Sequence, residues 1–135
     1  VANNQVSQSI NLQVSDVGVL PNYTRAIGPL VFPATSVAMH DYLQLSGSPA
    51  TYNTVFLQST PLGTFYIRNL STTPIQFAIV LAGVTLQANI PGGGIFFMAS
   101  SDTKFGFGTF GSNLVFSQVT GTVFPIIVEL LIAVA

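Results

Sequence analysis

A chain of 135 residues, 49% hydrophobic and only 5% charged, has apolar area for one folded domain and too little length for two. The absence of cysteine excludes a disulfide framework, thiolate chemistry and cysteine metal sites together. Arg25, Arg68 and Lys104 are the whole basic inventory, which argues against a nucleic-acid partner, because phosphate neutralisation needs several clustered cations.

The scarcity of charge also carries a positive implication. An ordinary soluble domain is about 25% charged, and a chain this neutral lacks the self-repulsion that keeps monomers apart. It is better suited to a tight homo-oligomer or a larger assembly, where other protein covers much of its surface. Membrane insertion as a helix needs about 20 apolar residues, and the best stretch, Val123 to Ala135, is shorter and interrupted by Pro125 and Glu129. The opening residues have neither a basic nor an apolar signal-peptide region.

In chain order, residues 1–9 are rich in Asn, Gln and Ser and read as a flexible arm that can become ordered on a neighbour. Residues 10–135 read as the folded domain. Ile10, Leu12 and Val14 alternate with polar residues as a first strand, with a bulge or strand end expected near Asp16. Leu20 to Ser36 is broken by Pro21, Gly28, Pro29 and Pro33, with core contacts in a strand or loop. Val37 to Leu45 reads either as a short strand or as one helical turn. A loop at Ser46 to Ala50 precedes an expected strand over Asn53 to Leu57.

Leu62 to Leu70 has two faces, Phe65 and Ile67 on one and Tyr66 and Arg68 on the other. Tyr and Arg are enriched at the centres of interfaces, while the plainer alternative is a solvated Arg68 lying over Tyr66. Ile75, Phe77, Ile79 and Leu81, then Val84, Leu86, Ala88 and Ile90, form the clearest period-two pattern in the chain, a hairpin turning at Ala82-Gly83. Pro91 to Gly94 reads as a hairpin connection needing positive φ, since it lacks the spacing of a phosphate-binding loop. Ile95 to Ala99 is the next strand. In KFGFGTFG, Phe105 and Phe107 share a face, joined by Phe110 only after a local slip, and Gly106 and Gly108 leave room for another backbone.

Asn113 to Val119 and Val123 to Ala135 complete the set. The last strand is apolar on both faces, which predicts either a central strand covered by a neighbouring subunit or an edge used for assembly. About eight short strands at regular spacing, with no amphipathic helix, predict an all-β, single-domain antiparallel β-sandwich that is jelly-roll-like.

No catalytic, cofactor or metal motif emerges. His40 is followed by Asp41, but neighbours on a strand point to opposite faces, so spacing makes no acid-base dyad. One histidine and four scattered acids supply neither a zinc set nor a calcium loop. Asn22-Tyr23-Thr24 and Asn69-Leu70-Ser71 match the glycosylation triplet, which is common by chance here. Glu129 is the carboxylate that stands out: inward, it needs Arg25, Arg68 or Lys104 as a partner; outward, it is a simple surface residue. The candidate interface residues are Tyr66, Arg68, Ile127, Glu129 and Leu131.

Tyr66-Ile67-Arg68-Asn69-Leu70, Pro74-Ile75, Gly83-Val84-Thr85-Leu86 and Ile90-Pro91-Gly92-Gly93 together resemble the small β-sandwich virion proteins of tailed bacteriophages, which decorate or cement a capsid or build a head or tail appendage. The resemblance covers Leu62 to Met98 and implies a non-enzymatic subunit without cofactors. Such a subunit is located in the virion, often as a trimer, and is partnered by other virion proteins such as the major capsid protein. The alternative is a carbohydrate-binding or adhesive module in which Tyr23, Tyr42, Tyr52 or Tyr66 form an exposed aromatic platform beside Asn or Asp side chains.

Overall fold

Alternating side chains can bury one face of a strand only if a second layer covers it, and this chain builds two such layers. The computed structural model describes residues 5–14, 23–33, 38–54, 61–100 and 106–134. Their strands are β1 (Gln5–Val14), β2 (Tyr23–Pro33), β3 (Ala38–Leu45), β4 (Ala50–Tyr52), β5 (Leu62–Asn69), β6 (Ile75–Leu81), β7 (Val84–Ile90), β8 (Ile95–Ala99), β9 (Leu114–Ser117) and β10 (Ile126–Val134). One four-stranded antiparallel sheet has the order β3-β10-β5-β8, and the other has the order β4-β9-β6-β7. β1 and β2 pair with each other as a two-stranded ribbon.

The core lies between the two four-stranded sheets. The first contributes Phe65 and Ile67 of β5 with Val128, Leu130 and Ile132 of β10; the second contributes Ile75, Phe77 and Ile79 of β6 with Leu114 and Phe116 of β9, none more than 1% exposed. Phe77 reaches across to Phe65 and Phe96, with ring centroids 5.7 and 4.7 Å away in tilted packing. Phe65 and Phe77, fully buried, each contribute roughly 2 to 3 kcal/mol, alongside the buried aliphatic side chains around them.

Asn69, with Thr54 and Thr64, is one of the buried polar residues among those described, and it lies at the end of β5. Its amide nitrogen donates to the carbonyls of Thr73 at 2.8 Å and Ile90 at 3.2 Å, and its side-chain oxygen accepts from the Ser71 N–H at 2.9 Å. One side chain thereby ties the β5–β6 corner to the end of β7. The glycosylation triplet at Asn69 is therefore closed off, because its nitrogen is already engaged inside the fold.

Several expectations change. Pro91 to Gly94 is no hairpin connection: it carries the chain from β7 in one sheet to β8 in the other. Its Gly93 does hold positive φ, at 74°, and the Gly93 N–H donates to the carbonyls of Asn69 and Ser71. A strand at Ala50–Tyr52 begins at the expected end of the loop, and Asn53 and Thr54 lie beyond it, Thr54 held by Asn113 and Ser112; the rest of the strand expected over Asn53 to Leu57 lies outside the described residues. Val37 to Leu45 resolves as strand from Ala38. β10 is a central strand, not an edge, and Pro125 lies just ahead of it, where no ladder bond is needed. β1 takes in Gln5 to Ser9, the second half of the stretch expected to be an arm.

Gly106 and Gly108 allow the close approach expected of them. A methyl group at Gly106 would run into the Leu62 carbonyl oxygen, and one at Gly108 would stand 2.6 Å from Ala82 Cβ. Phe107 and Gly108 hydrogen-bond to the Leu62 backbone here, and Phe110 is buried beside them. Asp16, Asp102, Lys104 and Phe105 lie outside the described residues.

Replacing Asn69 with Ala should lower stability by about 3 kcal/mol, because it strands one buried N–H and two carbonyls. Chemical denaturation should show a lower midpoint with an unchanged slope.

Candidate functional site

The burial of Val128, Leu130 and Ile132 sends the alternate residues of β10, Ile127, Glu129 and Leu131, to the outer face of its sheet. Antiparallel pairing sets their neighbours. Glu129 is flanked by Tyr42 of β3 and Arg68 of β5, and Leu131 by His40 and Tyr66. One strand further on, Ile95 pairs with Arg68 and Phe97 with Tyr66. All five candidate interface residues thus share a single face, joined by His40, Tyr42, Ile95 and Phe97.

Glu129 is the hub of this face. Its Oε2 lies 2.8 Å from His40 Nε2 and accepts the Tyr42 hydroxyl at 2.9 Å, while Oε1 accepts the Tyr66 hydroxyl at 3.1 Å. An ionised carboxylate offers only acceptors, so the three groups around it serve as donors. The side chain is 18% exposed, shielded by its neighbours though it sits outside the core. The hydrogen bond from His40, then that from Tyr42, holds its carboxyl below the ordinary carboxylate range.

The tyrosines respond in the opposite direction. Tyr42 is pushed up chiefly by its hydrogen bond to Glu129, and Tyr66 by burial and then by the same bond, since losing a proton beside an anion is unfavourable. A carboxylate fixed in its ionised form is a poor proton donor near neutrality. It is instead an anchor that orients two phenol rings and an imidazole.

Glu129 therefore fits neither branch expected of it. It faces outward, yet it is no simple surface residue, and among the described residues its hydrogen-bond partners are His40, Tyr42 and Tyr66, while Lys104 and the Arg25 side chain lie outside the described set. The cross-strand partners were legible only in part: His40 and Tyr42 alternate with Asp41, but nothing local announces that their strand pairs with β10. Arg68 is exposed, and the one close approach of a basic ring or amine to a carboxylate among the described residues is that of His40 Nε2 to Glu129.

His40 and Asp41 diverge, as strand geometry requires. Asp41 accepts from the Tyr42 backbone N–H at 3.0 Å and lines a cleft of about 340 Å³ between β3 and β4, together with Tyr52 and Phe116. Burial, with a smaller contribution from Asp41, pushes Tyr52 up. Among the described residues no group of three His, Cys, Asp or Glu is placed to hold a metal ion. Comparison with protein families, with curated proteins and with solved structures returns no match.

Glu129→Gln should destabilise the fold by no more than about 1 kcal/mol at neutral pH, because His40 and Tyr42 remain in contact with water. In the unfolded chain Glu129 takes up its proton near 4.5, above its folded value, so its contribution is complete above 4.5 and disappears as pH falls through the depressed value. Thermal midpoints of variant and parent should accordingly converge in acid.

Proposed function

We propose that the protein is a jelly-roll structural subunit of a virus particle, akin to the phage capsid decoration, cement or appendage proteins that its central hairpin resembles, and that it works by packing against other protein. The observation that carries this reading is the nesting of strand pairs. β3 pairs with β10, β4 with β9, β5 with β8, and β6 with β7. Eight strands paired first with last, second with second-last, and so inward describe one long hairpin wound over itself, the arrangement of the jelly rolls found in capsid and lectin domains.

Fold alone does not assign function, and the surface adds a second line of support. On the outer face of the β3-β10-β5-β8 sheet, Tyr42 and Ile95 are each 59% exposed and Ile127 is 43% exposed. The outer face of the other sheet carries Gln76, Thr85, Gln87 and Asn89, with Gln76 and Asn89 bonded across strands at 3.1 Å. That face also carries Ala78, Val80 and Val115, each partly buried, so the large apolar side chains most exposed on an outer face, Tyr42, Ile95 and Ile127, belong to the first sheet. A chain with a net charge of -1 has little repulsion to keep such faces apart. The partners are further copies of this chain, with a trimer the form implied by the resemblance, and other shell proteins such as the major capsid protein.

Light scattering at tens of micromolar should find a multimer, and a stable monomer there would sink the proposal. Ile127→Glu, a change at an exposed site, should shift the multimer toward monomer without unfolding it.

A further inference from the structure

The two-stranded ribbon leaves a gap above the sheet that carries Glu129. Ser9 and Asn11 of β1 line one side of this open groove of about 610 Å³, and Tyr66, Ile95 and Phe97 line the other. We infer that the groove is a binding site for a short neutral saccharide, with the rings of Tyr66 and Phe97 as its floor and the side chains of Ser9 and Asn11 as its polar rim.

Four observations lead there. First, the floor is aromatic and built: Tyr66 and Phe97 are cross-strand partners whose rings meet edge to face, centroids 6.5 Å apart at 73°. Second, the floor is held before any ligand arrives, because the Tyr66 hydroxyl is tied to Glu129 at 3.1 Å. A wall already fixed loses little freedom on binding. Third, Ser9, at the irregularity where the β1–β2 register shifts, and Asn11 both line the groove, and both are exposed. They offer a hydroxyl and a carboxamide, which donate and accept without charge. Fourth, the volume falls within the range of small-ligand sites, roughly 300 to 1,000 Å³.

The chemistry of the lining selects the ligand. A pyranose ring has one face of C–H groups, which lies on an aromatic ring, and a rim of hydroxyls, which need uncharged donors and acceptors. A wholly apolar ligand would leave Ser9 and Asn11 covered and unpaired, which costs about 1 to 3 kcal/mol per group. A charged ligand would find no counter-charge among the described lining residues. This site goes beyond assembly, and although it shares Ile95 with the face proposed to pack, the two are measured apart: sugar titration reads the groove and light scattering reads the multimer.

The test is a printed array of neutral oligosaccharides probed with labelled full-length protein, followed by calorimetric titration of the best oligosaccharide against parent and variants. Phe97→Ala should weaken binding at least about tenfold, the loss of one aromatic contact, and Asn11→Ala about fivefold, the loss of one hydrogen bond. Gln87→Ala, on the outer face of the opposite sheet, should bind as the parent does. Asn11 is exposed, so its variant tests the site even if Phe97→Ala unfolds. Failure of every neutral oligosaccharide to bind, or equal affinity of Asn11→Ala and parent, would overturn the inference. Light scattering on the same samples reports separately on assembly.

Discussion

Val128, Leu130 and Ile132 are pressed against the second sheet, and because side chains alternate along a strand, that single burial decides what the opposite face of β10 presents. β10 lies between β3 and β5, so the decision propagates sideways. Pairing with β3 puts His40 and Tyr42 in line with Leu131 and Glu129, and pairing with β5 does the same for Tyr66 and Arg68. A slip of one residue would exchange the core for the surface along the whole strand. The apolar interlock between the sheets is thus what assembles the polar cluster on the outside.

That cluster illustrates how a carboxylate is accommodated in an apolar strand. Taken from water alone, Glu129 would be costly; with three donors around it, the lost hydration is replaced. The rings that supply those donors also shield the carboxylate, and in return they are oriented by it. Tyr66 faces two ways as a result, its hydroxyl bound to the anchor and its ring turned toward Phe97 and the gap beneath β1.

The two outer faces of the sandwich have different chemistry for the same underlying reason. Both inner faces must be apolar, so differences in role can be written only on the outward phase of each strand. β6, β7 and β9 use theirs for Gln76, Thr85, Gln87 and Asn89 together with the partly buried Ala78, Val80 and Val115. β3, β5, β8 and β10 use theirs for Tyr42, Tyr66, Ile95, Phe97, Ile127 and Leu131, with His40, Gln44, Arg68 and Glu129 among them.

The class of fold is legible in local patterns: alternation over Ile75 to Leu81 and Val84 to Ile90, and the split between Phe65 with Ile67 and Tyr66 with Arg68, are period-two signals of strands with one buried face. Gly106 and Gly108 are legible in the same way as places of close approach. Which strands are neighbours emerges from the folded chain alone, since hydrogen bonds between strands far apart in sequence leave no trace in either segment. That is why Pro91 to Gly94 reads locally as a hairpin turn yet joins two sheets, and why β10 reads as a possible edge yet lies at a centre. The same reason governs the candidate site: His40, Tyr42, Tyr66 and Glu129 come from three segments, and their meeting follows from long-range pairing, which period and composition cannot encode.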